Sequence, residues 1–221
     1  MNTPSTTSVL HGQRLVPLAA PTDAAQTAAL RDGLLGGGLK IVEVGLRTPY
    51  SMTALTELAA GGELIVGAGT VLDGAQAEAA LDAGAAFLVT PGFADDIVEV
   101  ARRRGVPIVP GVATATEVLR ARQAGLRFVK LFPANVLGGL KYIGALSAAF
   151  GDMSFMPSGG VSQATLAEHL AHPAVAAVSG SWLTSGAMLD RGADAVAEAV
   201  RASVEIADAS VRASAARSES K

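Results

Sequence analysis

The stretch VPIVPGVATATEVLRARQAGLRFVKL, residues 106–131, contains one complete strand–helix–strand unit. It begins and ends with short apolar runs whose length is typical of buried strands. Between these runs, Thr114 and Glu117 have the spacing of a capping box, which predicts the start of a helix, and Gly125 predicts its end. The stretch therefore predicts one β/α unit and the strand of the next.

The same unit recurs along the chain. Short apolar runs lie roughly 20–26 residues apart, which leaves room for a strand, a loop and a helix of average length. These runs cover residues 15–19, 41–44, 64–66, 86–89, 106–109, 128–131, 154–156 and 175–178. Eight units predict an α/β fold, a single-domain (β/α)8 TIM barrel. An open doubly wound sheet, which more often has five or six strands, is the alternative.

The chain divides into a central domain and two short ends. The barrel is expected over residues 14–208, after an N-terminal segment of residues 1–13. The last helix is predicted at residues 194–207, and the Ser/Ala-rich residues 209–221 are predicted to form a flexible tail. A chain of 221 residues without a linker or a change in composition fits one barrel domain.

The composition excludes several classes of function. A net charge of -3 gives no reason to expect nucleic acid or an anionic membrane as a partner, and the absence of cysteine removes disulfides and thiolate chemistry. No leader-like segment or apolar run of about 18 residues is present, so a cytoplasmic protein is expected. His11, His169 and His172 fall far from the strand ends, so we expect no metal site.

Lys130 is the first candidate for chemistry. It interrupts the apolar run of residues 128–131. Burial disfavours the charged form of a lysine, and the free amine that results can attack a carbonyl group to form a Schiff base. The alternative is a lysine at the end of a strand with its ammonium group in water.

Glu43 is the second candidate. Alternation along its strand places it on the same face as Ile41 and directs the carboxylate into the mouth of the barrel, where it could transfer protons. A salt bridge to Arg47 that holds the loop is an equally good interpretation of the sequence.

Glycine-rich turns follow the seventh and eighth strands. Residues 157–160 (PSGG) and 179–182 (SGSW) can present backbone N–H groups to an anion. Because the loops after these two strands often bind phosphate in barrels, the position favours a phosphate site over ordinary turns.

Taken in order and spacing, these motifs resemble the 2-keto-3-deoxy-6-phosphogluconate (KDPG) and 4-hydroxy-2-oxoglutarate (KHG) aldolases, from about Val16 to Leu183. The resemblance is carried by residues 43–48 (EVGLRT), 67–72 (GAGTVL), 90–92 (TPG), 110–112 (PGV), 130–134 (KLFPA), 157–160 (PSGG) and 180–182 (GSW). It implies a class I aldolase without metal or other cofactor, commonly a homotrimer, that acts on a small sugar acid phosphate.

The resemblance also implies a role for each matching residue. Lys130 would form the Schiff base and Glu43 would act as general acid and base. The remaining implied positions hold the substrate carboxylate (Arg47, Thr70), line the pocket (Pro91, Phe132, Ser158) and bind the phosphate (Gly159, Gly160, Gly180, Ser181).

Two residues depart from the family pattern. Gly45 stands where threonine is common, and Ser158 stands where threonine is usual. The hydroxyl of Ser158 favours the gluconate epimer, while the run of residues 113–116 (ATAT) resembles relatives that act on the galactonate epimer. A phosphate-binding isomerase or synthase without imine chemistry and a non-catalytic assembly scaffold remain as further alternatives.

Overall fold

The computed structural model describes residues 9–219, and the side chains of residues 9–212. Strands and helices alternate along the described chain. The strands are β1 Leu15–Ala19, β2 Ile41–Gly45, β3 Ile65–Gly69, β4 Phe87–Val89, β5 Ile108–Val109, β6 Gly111–Val112, β7 Phe128–Leu131, β8 Ser154–Pro157 and β9 Val178–Gly180. The helices are α1 Ala24–Gly36, α2 Ser51–Ala60, α3 Gly74–Asp82, α4 Asp95–Arg104, α5 Ala115–Gln123, α6 Gly139–Ala149, α7 Gln163–Ala171, α8 Gly186–Leu189 and α9 Ala193–Glu219.

The strands form two parallel sheets. One has six strands in the order β5-β4-β3-β2-β1-β9, and the other has three in the order β6-β7-β8. Every strand pair within residues 9–219 is parallel. The fold is therefore α/β, as predicted, but the strand pairing gives an open six-stranded sheet and a smaller one where the sequence predicts one closed barrel.

The two boundaries between the sheets differ in their local structure. Pro110 has no N–H to donate, and it separates β5 from β6. At the other boundary, β8 meets the chain just before β9 through a parallel pairing of Phe155 with Val175. There, the Phe155 amide donates to the Ala174 carbonyl at 2.8 Å, and the Ala176 amide donates to the Phe155 carbonyl at 3.0 Å.

Three helix signals in the sequence are confirmed: Asp73 as a cap, Thr114 with Glu117 as a capping box, and Gly105 as a helix end after three arginines. The side chain of Asp73 accepts a hydrogen bond from the Gln76 amide at 2.7 Å at the start of α3. Thr114 and Glu117 form the capping box of α5. Helix α4 ends at Gly105, whose φ of 68° lies in the left-handed region that glycine adopts without strain.

The two ends of the chain differ in how far the structure describes them. Helix α9 continues to Glu219 instead of ending at residue 207, because residues 208–219 contain no glycine or proline and several strong helix formers. Of the tail expected at 209–221, residues 220–221 lie outside the described part, as do residues 1–8 of the expected N-terminal segment.

Helix α1 packs closely against α9. A Cβ atom at Gly33 would lie 2.4 Å from Val196, and one at Gly37 would lie 2.4 Å from Val200, so these glycines allow the close approach. The strands beneath are buried on both faces, as in other parallel sheets covered by helices. In the part of the chain that the structure describes, no helix has the length and hydropathy needed to cross a bilayer.

Candidate active site

Lys130 and Glu43 form a buried ion pair in the interior between the two sheets. Lys130 on β7 is 2% exposed, Glu43 on β2 is fully buried, and Lys130 Nζ lies 3.0 Å from Glu43 Oε1. The two other lysines that the structure describes, Lys40 and Lys141, are exposed. The ammonium group of Lys130 is therefore not at the surface. This excludes the alternative of a lysine at the end of a strand with its ammonium group in water.

The second oxygen of Glu43 also has a partner. Ser179, fully buried on β9, donates from Oγ to Glu43 Oε2 at 3.1 Å. Gly69 on β3 makes room for the carboxylate, because a Cβ atom there would lie 2.3 Å from Glu43 Oε1. Both carboxylate oxygens are thus hydrogen-bonded, and the carboxylate has one defined orientation.

Arg47 does not pair with Glu43. Its Nε donates to Thr70 Oγ1 at 2.8 Å, and Arg47 itself is exposed at the rim of the site. Thr70 has a φ of 57°, a left-handed conformation that is strained for a β-branched residue and that places its hydroxyl against Arg47. Within residues 9–212, the two terminal nitrogens of Arg47 make no hydrogen bond, so a planar anion such as a carboxylate can bind there.

Phe132 covers the buried pair. Its ring centroid lies 5.7 Å from Lys130 Nζ. Ser158 is buried at the end of β8, and its backbone carbonyl accepts from the Ala134 amide at 2.8 Å, which ties the loop after β7 to the loop after β8. Phe132 and Ser158 therefore lie on two loops that are bonded to each other.

Pro91 forms part of a tight loop after β4. A Cβ atom at Gly111 would lie 2.3 Å from the Pro91 carbonyl, so the glycine allows the two loops to touch. Thr90 fixes this loop because its hydroxyl donates to the Gly92 carbonyl at 2.6 Å and accepts from the Gly111 amide at 3.1 Å.

The glycine turns after β8 and β9 lie side by side, since β8 and the chain before β9 are paired. Gly159 and Gly160 have φ values of 89° and 86°, which turn the backbone after β8. Gly180 is buried beside Trp182, whose ring would lie 2.3 Å from a Cβ atom at position 180, and Ser181 is exposed. The structure thus brings the four candidate phosphate-binding residues to adjacent strand ends.

A cavity of about 460 Å³ adjoins the first of these turns. Its lining includes Asn135, Gly159, Gly160 and His169, but neither Lys130 nor Glu43. In the described residues, no group of three histidine or acidic side chains could hold a metal ion. The cavity is therefore next to the turn, and it is separate from the buried ion pair.

Ser179, which contacts Glu43, is a residue of the site that the sequence did not predict. The sequence places it at the head of a glycine turn, and its bond to Glu43 joins residues that are 136 positions apart. One local signal points to it, namely a single hydroxyl in the otherwise apolar run that ends the eighth strand.

A buried primary amine beside an oriented carboxylate, inside a set of parallel strands, is the arrangement of groups that lysine-dependent, imine-forming enzymes use. The particular family follows from a match over residues 6–200 to the family model for KDPG and KHG aldolase. The chain belongs to the KDPG and KHG aldolase family, and the resemblance seen in the sequence is confirmed.

Individual relatives agree with this assignment. The chain is 43% identical over 180 residues to 2-dehydro-3-deoxy-phosphogluconate aldolase of Pseudomonas aeruginosa, which covers 81% of this chain and 82% of the relative. The fold of this chain matches KDPG aldolase of Zymomonas mobilis, solved with 3-phosphoglycerate, with a TM-score of 0.84. The two sequences are 29% identical, and the match covers 91% of this chain and 96% of the other. KDPG aldolase of Legionella pneumophila, solved with pyruvate as a covalent carbinolamine, gives a TM-score of 0.84 at 28% identity. This match covers 91% of this chain and 98% of the other.

Proposed function

We propose that this chain is a class I aldolase that cleaves 2-keto-3-deoxy-6-phosphogluconate to pyruvate and glyceraldehyde 3-phosphate. Cleavage of 4-hydroxy-2-oxoglutarate to pyruvate and glyoxylate is the expected second activity. The single observation that supports this proposal best is the buried contact between Lys130 and Glu43. The covalent carbinolamine of pyruvate in the relative from Legionella pneumophila is the intermediate that such a lysine would form.

The reaction begins with the amine of Lys130. Glu43 Oε1, at 3.0 Å, accepts a proton from the ammonium group, and the neutral amine adds to the C2 ketone of the substrate. Glu43 returns that proton to the C2 hydroxyl of the carbinolamine, which leaves as water, so the lysine becomes an iminium ion and Glu43 is again a carboxylate. The C3–C4 bond then breaks, its electron pair moves into the iminium to form an enamine, and the C4 hydroxyl loses its proton to give the aldehyde.

Glu43 is the base for that hydroxyl proton, directly or through one water. It later returns a proton to C3 of the enamine, and water hydrolyses the resulting iminium to release pyruvate and restore the amine of Lys130. A positioned general acid and base of this kind contributes about 10²–10⁴-fold to the rate. The ring of Phe132, whose centroid is 5.7 Å from Nζ, shields the imine from bulk water.

The other predicted residues bind the two ends of the substrate. Arg47, held by Thr70 and with its terminal nitrogens open, binds the carboxylate beside the reacting ketone. The backbone N–H groups of the two glycine turns, together with the exposed Ser181, bind the phosphate. Pro91 and Ser158 line the pocket between them.

We also infer that the two sheets are parts of one (β/α)8 barrel. Strands β5 and β6 are consecutive in the chain and are separated only by Pro110. The pairing of Phe155 with Val175 joins the far edge of the small sheet to the chain that leads into β9. A homotrimer, as the family resemblance implies, located in the cytoplasm completes the proposal.

Trapping with borohydride tests the proposed function. Protein is incubated with pyruvate, reduced with sodium borohydride, and examined by intact-mass spectrometry and peptide mapping. We expect one adduct on Lys130 that is lost in Lys130→Met and kept in Lys141→Ala, the matched control at an exposed lysine. An adduct elsewhere, or none on folded protein, would overturn the proposal and favour a phosphate-binding isomerase or synthase.

A further inference from the structure

We propose that Ser179 is a positioning residue for proton transfer, which holds Glu43 in place while Lys130 is covalently bound to the substrate. The inference rests on the proposed function. It assigns to Ser179 a task that neither the glycine turn it precedes nor the family motif explains.

The two oxygens of the Glu43 carboxylate have different partners. Oε1 faces Lys130 Nζ at 3.0 Å, and Oε2 accepts the Ser179 hydroxyl at 3.1 Å. A carboxylate has no hydrogen to give, so Ser179 is the donor. In residues 9–212, the Ser179 side chain makes no second hydrogen bond, and its hydroxyl is thus committed to Glu43.

The two hydrogen bonds differ in how long they last during the reaction. Once Lys130 Nζ is double-bonded to C2 of the substrate, it keeps one hydrogen in place of three. Glu43 Oε1 must then face the substrate, where it exchanges a proton with the C4 hydroxyl and with C3. Ser179 undergoes no chemical change, so its bond to Oε2 is the one that persists.

Among the described residues, Lys130 and Ser179 are the recorded hydrogen-bond partners of the Glu43 carboxylate. Lys130 is the single charged residue within 4.0 Å of Glu43 among the described side chains. The neighbouring strands bring Leu18 of β1 and Gly67 and Gly69 of β3 against it, and none of these carries a side-chain donor. Arg47, which follows β2 in the chain, donates to Thr70.

One consequence follows for a variant without this hydroxyl. The carboxylate loses its fixed orientation in the iminium state, so proton transfer slows while imine formation continues. A residue that only filled space in the strand would not separate the two steps in this way.

The experiment compares two reactions of pyruvate in Ser179→Ala. Exchange of the pyruvate methyl protons with D2O, followed by proton NMR, measures the proton transfer, and borohydride trapping measures the imine. We expect exchange and aldol kcat to fall about tenfold to a hundredfold, the loss of one hydrogen bond to a charged group. Trapping on Lys130 and the KM should stay close to wild type.

Two further variants complete the experiment. Ser179→Gly removes the same hydroxyl and should give the same result. Ser203→Ala is the matched control, since Ser203 is also fully buried but contacts Trp182 Nε1, at 3.4 Å, in place of Glu43. We expect it to exchange pyruvate protons at the wild-type rate.

The possible failures are distinguishable. Wild-type exchange in both Ser179 variants would show that Ser179 only packs in the strand. Loss of trapping as large as the loss of exchange would place its effect before the imine and would also overturn the inference. Absence of trapping in the wild-type protein would instead overturn the proposed function, and this inference with it.

Discussion

Gly69→Ala should remove most of the activity without adding any group that can react. Gly69 lies against the carboxylate of Glu43, and a Cβ atom there would be 2.3 Å from Oε1, 2.5 Å from Cγ and 2.7 Å from Cδ. The added methyl group and the carboxylate cannot occupy these positions together. Because Glu43 is fully buried, it has no solvent space to move into, and the ion pair must be rearranged.

The size of the effect follows from these distances. Ordinary contact begins at 3.4 Å, so the carboxylate must move by about 1.1 Å from its present 2.3 Å. That shift breaks or lengthens the bonds of 3.0 Å to Lys130 and 3.1 Å to Ser179. A displacement of about 1 Å in a catalytic group can cost about 10²-fold in rate, and overpacking a core costs about 1–3 kcal/mol of stability.

The assay is kcat and KM for aldol cleavage, with product aldehyde or pyruvate measured by a coupled reaction, beside thermal unfolding of the same samples. Gly144→Ala is the matched control, because Gly144 lies in α6 and its nearest neighbour, His172 Nε2, would be 3.7 Å from the new Cβ atom. We expect the control to keep wild-type kcat and to be at least as stable, since alanine favours the helix.

The result that would refute this reasoning is a Gly69→Ala enzyme with wild-type kcat. It would mean that the position of Glu43 described here does not matter for the reaction, or that the strand yields more easily than the carboxylate. A fall in stability without a fall in kcat would lead to the same conclusion.

Three further predictions concern the edge of the site and the surface. Thr70→Gly should relieve the strain at a φ of 57° and release Arg47. The KM for 2-keto acid substrates should therefore rise without a loss of melting temperature. Gly160→Ala should raise KM for phosphorylated substrate and leave kinetics with 4-hydroxy-2-oxoglutarate nearly unchanged; an equal loss for both would remove the phosphate role. The hydrogen bond from Arg122 at 2.9 Å lowers the pKa of Asp152. This pair therefore stabilises the fold above the ordinary aspartate pKa of about 3.9, and the stabilisation is lost as pH falls through the lowered pKa. Melting curves of Arg122→Ala should accordingly differ from wild type at pH 6 and converge with it below that lowered value.

Features that depend on neighbouring residues could be predicted from the sequence. The β/α units, the caps of α3 and α5 and the end of α4 at Gly105 are local, because a cap needs only three or four residues and an apolar run marks a strand. Lys130 and Glu43 were found for the same reason, since each is a charged residue in an apolar strand.

Features that depend on distant contacts could not be predicted in the same way. The choice between two partners for Arg47, and the contact of Ser179 with Glu43, are decided by the curvature that brings separate strands together. The sequence also predicts one strand at residues 106–109, whereas Pro110 separates β5 from a second short strand, β6. The Ser/Ala-rich composition of residues 209–221 predicts a flexible tail. Helix α9 nevertheless continues to Glu219, because several of these residues favour helix.

The meeting of the first and last parts of the chain has a consequence for synthesis on the ribosome. Strand β1 lies between β2 and β9, and α1 packs on α9 through Gly33 and Gly37. A nascent chain that ends before β9 leaves one edge of β1 unpaired and the apolar face of α1 uncovered, which makes it prone to aggregation. Synthesis of β9 and α9 is therefore the step that first covers β1 and α1, which are made much earlier.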